Sequence, residues 1–304
     1  MLYLVTGGAG FIGSHITDRL LADGHTVRIL DNFSTGKREN IPAAAGVEVI
    51  EGDVGDADTV RHAMQGIDYV FHEAAIASVP ETVGNPLASE RVNYRGTLKI
   101  LEAARHAGVK RVVFACSAAV YGDLPELPKR EDMPLKPLSP YAVDKLASEH
   151  ACKVYTGLYG LEAVALRYFN VFGPRQDPSS PYSGVISIFS DHLRQGKQPT
   201  IYGDGEQTRD FVFVSDVVEA NIRAAASVTA AGRAFNIATG STLSINDLLR
   251  TICRIQGQPF EPGYQPGRQG DIQHSRADIG LAREHLDWEP AVEFETGLRE
   301  LFKS

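Results

Sequence analysis

The sequence predicts an α/β protein, with a doubly wound parallel sheet followed by a smaller mixed α/β region. Three observations predict this. Apolar strand-like runs alternate with helical patterns through the first half of the 304 residues. A glycine-rich turn joins the first such run to the first helix. Beyond about residue 168 the alternation loosens, and Pro and Gly become frequent.

The first strand, Leu2-Tyr3-Leu4-Val5-Thr6, runs into Gly7-Gly8-Ala9-Gly10-Phe11-Ile12-Gly13, and a helix follows over 14–21. Gly8, Gly10 and Gly13 fit G-x-G-x-x-G, while Gly7, Gly10 and Gly13 fit its wider-spaced variant. Glycine permits the tight turn and lets the backbone approach a pyrophosphate. The helix N-terminus adds unpaired N–H groups and a favourable dipole. The second strand ends in Asp31, where a carboxylate accepts from both ribose hydroxyls and repels a 2′-phosphate. The expected cofactor is therefore NAD.

Val47–Glu51 reads as a short strand ending at Gly52-Asp53-Val54, and a helix is expected over 58–65. Tyr69–His72 is the next strand, with Glu73-Ala74-Ala75 at its carboxyl end. Residues 85–107 read as one helical pattern, 111–115 as a buried strand that delivers Ser117, 141–159 as a long helix and 161–167 as another strand. Gly7, Asp31, Asp53, Ala74, Ser117 and Asn170 all fall at or just beyond strand carboxyl ends, where open parallel sheets bind ligands. Residues 209–214 and Ala234–Ile237 read as later strands, with loops over 174–184 and 256–271. The expected division is a Rossmann-type NAD-binding domain over 1–167, rejoined by strands near 210–237, and a mainly substrate-binding region over 168–304.

Composition sets bounds. A hydrophobic fraction of 43% and a charged fraction of 22% suit a globular enzyme and exclude a disordered chain. A net charge of −8 without a basic cluster argues against nucleic acid. No apolar run approaches the roughly 18 residues of a membrane helix, and the first strand lacks a signal peptide's charged start, so a cytoplasmic protein is expected. Cys116, Cys152 and Cys253 are odd in number and far apart, which reads as reduced thiols. The 9 histidines lack ligand spacing, so no metal site is expected.

The chemistry concentrates in Ser117, Tyr141 and Lys145. A phenol is a poor base, with an ordinary pKa of about 10. Residues four apart on a helix share a face, so Lys145 is expected beside Tyr141, where its ammonium would favour the phenolate. Ser117 would share the substrate proton. Together they would deprotonate an alcohol while hydride leaves the same carbon. Cys116 and Trp288 read as packing residues, and His72 as structural rather than a proton carrier.

On these residues the chain resembles the extended short-chain dehydrogenase/reductases, specifically the nucleotide-sugar epimerase/dehydratase family. The resemblance spans essentially the whole length. It is carried by the run from Thr6 to Gly13, Asp31-Asn32, Gly52-Asp53-Val54, Ser117 with Val120-Tyr121-Gly122, Tyr141 with Lys145, Arg167-Tyr168-Phe169-Asn170, and Arg209-Asp210-Phe211. It implies that Gly7, Gly10, Phe11, Ile12 and Gly13 hold the pyrophosphate, and Asp31 and Asn32 the adenosine ribose. Asp53 and Val54 would flank adenine, and Ala74, Asn93, Tyr141 and Lys145 would reach the nicotinamide half. Asn170 would bind substrate near its phosphates, Arg209 and Arg268 would clamp the diphosphate, and Asp271 would accept from the nucleoside ribose. The family also implies a homodimer, through the 85–107 and 141–159 helices.

The subtype follows from two alanines. Hexose dehydratases of this family carry Asp-Glu after the serine or threonine, whereas Ala118 and Ala119 stand here and neither moves a proton. Dehydration by that route is disfavoured, and epimerisation at carbon 4 of a UDP-hexose is the expected reaction; the alternatives are another nucleotide-sugar reaction of the family, by a dehydratase, decarboxylase or reductase, or dinucleotide binding without catalysis. Ser275 aligns with a position that is tyrosine in epimerases restricted to plain hexoses. A small side chain there leaves room for an acetamido group, so UDP-GlcNAc and UDP-GalNAc are expected substrates beside UDP-Glc and UDP-Gal. Ser78, in Ala77-Ser78-Val79-Pro80, is a further expected substrate residue.

Overall fold

The computed structural model describes residues 1–177, 184–267 and 272–303. Arg268 and Asp271 lie outside the described residues. The strands are β1 (Leu2–Thr6), β2 (Thr26–Asp31), β3 (Val47–Glu51), β4 (Tyr69–His72), β5 (Arg111–Ser117), β6 (Glu162–Tyr168) and β7 (Asn170–Phe172), then β8 (Thr200–Tyr202), β9 (Thr208–Arg209), β10 (Phe211–Phe213), β11 (Ala234–Ile237), β12 (Leu243–Ser244) and β13 (Gly263–Gln265). The helices are α1 (Phe11–Ala22), α2 (Ala57–Ala63), α3 (Val79–Gly84), α4 (Pro86–Ser89), α5 (Arg95–Ala107) and α6 (Pro140–Tyr159), then α7 (Val185–Arg194), α8 (Val214–Ala226), α9 (Ile245–Gln256), α10 (Gly280–Leu286) and α11 (Phe294–Leu301).

Seven strands form one sheet in the order β11-β6-β5-β4-β1-β2-β3, and every pairing is parallel. The order reverses between β1 and β4, which opens a crevice above their carboxyl ends. Alternate strand residues feed two cores. Leu4, Val70, Val112 and Phe114 pack beneath α2, α5 and α6, while Val5, Phe71, Val113 and Leu166 pack beneath α1 and α8. Burial on both faces explains why these strands read as continuous apolar runs. A third cluster, centred on Phe172, Phe189, Phe211 and Leu248, forms the C-terminal region.

The structure corrects three expectations. β11 rejoins the main sheet beside β6, but β10 does not; it pairs with β7 in a separate two-stranded sheet. Asn170 turns the chain there, because its backbone N–H and its Nδ2 both donate to the Asp210 carbonyl, at 3.1 and 2.9 Å. The expected helix over 85–107 is broken, and α3 precedes it. Pro80 and Pro86 lie in the first turns of α3 and α4, with Ser78 and Asn85 as their N-caps. A π-turn over Glu90–Tyr94 then joins α4 to α5. Within it the Asn93 carbonyl accepts from Thr97 Oγ1 at 2.6 Å and from Ser148 Oγ, on α6, at 3.1 Å. The expected loop over 256–271 contains β13, which pairs with β8.

Candidate active site

The glycine turn is shaped for close approach. Gly7 has φ +69, and a Cβ there would stand 2.8 Å from the Ala74 N. A Cβ on Gly10 would stand 3.1 Å from the Gly7 carbonyl oxygen, and one on Gly13 would collide with that same atom. Gly10 is the N-cap of α1 and offers no side chain to occupy the first N–H groups, which suits a pyrophosphate. Asp31 is buried; its carboxylate accepts from the Ala9 N–H at 2.9 Å and the Phe33 N–H at 2.8 Å. A cavity of about 470 Å³ runs over this turn, walled by Phe11, Ile12, Asn32, Asp53, Val54 and Ala74 among others. These residues fit a dinucleotide.

Arg91, absent from the sequence expectations, closes the Asp53 end. Its Nη1 and Nη2 donate to Asp53 at 3.3 and 3.1 Å, while Asn32 Nδ2 donates to the same carboxylate at 3.2 Å. Burial pushes the Asp53 carboxyl up, but Arg91 and the Gly55 N–H outweigh it, and its pKa falls below the usual range. Asn93 is placed differently from the expectation. Its amide is engaged with the Ile76 backbone, donating to the carbonyl at 3.1 Å and accepting from the N–H at 2.8 Å, so it shapes the cavity wall.

Ser117 ends β5, and Tyr141 enters on the first turn of α6. That turn starts here because Ser139 Oγ accepts from the Ala142 N–H at 3.2 Å and Pro140 follows the cap. The Ser117 hydroxyl lies near enough to the Tyr141 phenol to pull its pKa down. Lys145 is buried; its Nζ donates to the Ala115 carbonyl at 2.7 Å and lies 5.7 Å from the centre of the Tyr141 ring. The shared helix face is therefore as expected, but the electrostatics are not. Burial pushes the Tyr141 phenol up to about 12, with Ser117 pulling it down and Cys116 and Glu73 pushing it further up. Burial also lowers the Lys145 pKa, which Cys116, Glu73 and Asp144 oppose.

His72 bridges Thr6 Oγ1 at 2.7 Å and Thr97 Oγ1 at 3.0 Å, and burial lowers its pKa to about 3, so it is a neutral structural residue. Trp288 is buried and donates to the Asp216 carbonyl at 2.9 Å. Cys116, Cys152 and Cys253 are free and buried, and among the described residues no cluster suits a metal ion. A second cavity, of about 220 Å³, opens between Asn170, Tyr202, Gln207 and Arg209, where the sequence placed substrate phosphates. Ser78 Oγ caps α3, accepting from the Glu81 N–H at 3.1 Å. Ser275 is half-buried, with its N–H donating to the Thr208 carbonyl at 3.1 Å. Among the described residues, no helix is long and apolar enough to cross a membrane.

A dinucleotide cradle beside neighbouring serine and tyrosine hydroxyls defines a nicotinamide-dependent enzyme that works at an alcohol carbon. The model of the NAD dependent epimerase/dehydratase family matches residues 3–238, and the chain belongs to that family. It is 45% identical over 303 residues to the UDP-glucose 4-epimerase of Mycolicibacterium smegmatis, covering 98% of this chain and 96% of that one. Among solved structures it resembles the UDP-N-acetylglucosamine 4-epimerase of Methanobrevibacter ruminantium in complex with UDP-N-acetylmuramic acid, at TM-score 0.95 and 43% identity, covering 99% and 96% of the two chains. It also resembles the Thermus thermophilus UDP-glucose 4-epimerase in complex with NAD, at TM-score 0.91 and 41% identity, covering 100% and 98%.

Proposed function

We propose that this protein is an NAD-dependent UDP-hexose 4-epimerase, with Ser117, Tyr141 and Lys145 as its catalytic residues. The observation that carries the reading is the Ser117–Tyr141 hydroxyl pair beside the dinucleotide cradle, followed by Ala118 and Ala119, which offer no acid or base for water loss. Bound NAD supplies a reversible acceptor for the hydride of carbon 4. Tyr141 takes the 4-hydroxyl proton, and Ser117 shares it. Lys145 anchors the base to β5 through the Ala115 carbonyl. The 4-keto sugar then turns over about its diphosphate, held on the Arg209 side of the site, and Tyr141 returns the proton on the opposite face. Net redox change is zero, so no added reductant is required.

The pocket is also read as accepting UDP-GlcNAc and UDP-GalNAc, because the small half-buried Ser275 leaves space that a tyrosine ring would fill. Incubation with UDP-Glc and separately with UDP-GlcNAc, without reductant and followed by proton NMR, should give the C4 epimer in both tubes. Ser275→Tyr should cut the N-acetyl rate about tenfold or more while sparing UDP-Glc. No epimer in either tube from the unaltered protein defeats the 4-epimerase reading, and equal loss on both substrates defeats the role of Ser275.

A cytoplasmic homodimer belongs to the same reading. Val143, Val154 and Leu158 are 51%, 47% and 74% exposed along α6. A groove of about 760 Å³ between α2, α5 and α6 is walled by Met64, Leu98, Ala103 and Tyr155. Exposed apolar surface of this extent suits association with a second copy.

A further inference from the structure

Arg91 walls the cofactor cavity, and the mechanism above gives it no part. That cavity runs along the carboxyl ends of three neighbouring strands. The glycine turn follows β1, Asp31 ends β2, and Asp53 lies just past β3. Adjacent strands stand about 4.8 Å apart. With pyrophosphate on the turn and ribose at Asp31, the base of a dinucleotide falls at the Asp53 end. Val54 and Val92, both buried, supply apolar surface to the same cavity, and Arg91 is bonded to Asp53 there.

Three features hold the Arg91 guanidinium in place. Its Nη1 and Nη2 form a fork on the two oxygens of Asp53, at 3.3 and 3.1 Å. The Gly55 N–H also donates to Oδ1, at 2.6 Å, and Asn32 Nδ2 to Oδ2, at 3.2 Å. Each oxygen thus accepts two donors, which fills the roughly four acceptor sites of a carboxylate. Gly55 lies against the fork: a Cβ there would collide with Arg91 Nη1, and Lys99 Nζ ties the Gly55 carbonyl to α5 at 3.0 Å. The π-turn over Glu90–Tyr94 carries the side chain, leaving Arg91 exposed while the adjoining Val92 and Asn93 are buried. As a stabilising ion pair Arg91–Asp53 is worth little, because its side chains are 52% and 29% exposed. What the arrangement achieves is a planar cation fixed in orientation where the base falls.

We propose that Arg91 is a cofactor-binding residue, whose guanidinium covers the adenine base of NAD while Asp53 and Gly55 set its plane. A guanidinium stacks on the face of a base, whereas the compact ammonium of a lysine offers no plane. Because the fork exists before the ligand arrives, little side-chain freedom is lost when the base lands on it. The inference rests on the NAD cradle and not on the 4-epimerase reading.

Arg91→Met keeps an unbranched side chain and removes the planar cation. Dialysed against a series of NAD concentrations, the variant should half-fill at a concentration about tenfold higher than the unaltered protein. AMP, which carries the adenine half alone, competes in the same dialysis and should lose the same factor. Arg91→Lys keeps the charge without the plane and should lose most of that factor too. Unchanged NAD affinity in Arg91→Met overturns the proposal, as does a loss for NAD that AMP does not share. Full affinity in Arg91→Lys overturns it as well, since charge alone would then suffice. If Arg91→Met does not fold, the NAD and AMP readings on Arg91→Lys decide in the same way. A protein that epimerises no UDP-sugar yet shows the shared loss of NAD and AMP has lost the 4-epimerase reading and kept the role of Arg91.

Discussion

Tyr141→Phe should lower kcat by roughly 10²–10⁴-fold, the usual worth of a positioned proton-transfer group. The change removes one oxygen and keeps the ring, so the contact with Lys145 and the first turn of α6 persist. Loss of the hydroxyl should cost stability only about 1 kcal/mol. NAD content, read from the absorbance and fluorescence of the purified protein, should be unchanged, because the glycine turn and Asp31 are untouched. The acid limb of the pH profile, which reports the base losing its proton, should disappear from the residual rate. A near-normal kcat in Tyr141→Phe removes Tyr141 from its proposed role.

Arg167→Met should destabilise the fold by about 3–5 kcal/mol, the cost of leaving one partner of a buried ion pair unopposed. Arg167 and Glu149 have side chains only 3% and 11% exposed, and the guanidinium grips the carboxylate with two hydrogen bonds of 2.8 and 2.6 Å. Burial pulls the Arg167 pKa down, but Glu149 more than restores it, and the group stays cationic. A third donation, from Nη1 to Tyr121 Oη at 2.7 Å, ties in the turn that follows Ser117, and Tyr121 then donates to Asn236 Oδ1 on β11 at 2.7 Å. One guanidinium on β6 thereby joins α6, which carries Tyr141 and Lys145, to the segment that carries Ser117. Thermal unfolding should report the loss as a fall in Tm on the order of 10 °C. The double variant Arg167→Met/Glu149→Leu should recover most of it, since an apolar pair of similar volume is often neutral. A single variant with unaltered Tm overturns this account of the pair.

Most of the nucleotide half was legible before any coordinates. The glycine turn, Asp31 and the Ser117–Tyr141–Lys145 set depend on spacing within one turn or on a place at a strand end, and parallel strands buried on both faces announce themselves as apolar runs. Glu73 was visible as an acidic residue just past β4, but its partner Tyr168 is 95 positions away. Arg91 meets Asp53 across 38 positions, and Asn93 spends its amide on a backbone that the sequence does not bring near it. The split of β10 from the main sheet follows from one carbonyl, that of Asp210, capturing two donors of Asn170.

The amino-acid order alone sufficed for the fold class and the preference for NAD, and it put forward Ser117, Tyr141 and Lys145 as the proposed proton-transfer set, with Ala118 and Ala119 disfavouring dehydration. Each of these depends on residue type and short spacing. The electrostatics were decided by packing. The phenol of Tyr141 is pushed up to about 12 rather than down, and the ammonium of Lys145 turns to the Ala115 carbonyl, because desolvation at the sheet end outweighs the neighbouring charge. Desolvation depends on which distant segments cover a group, and that is a property of the folded chain.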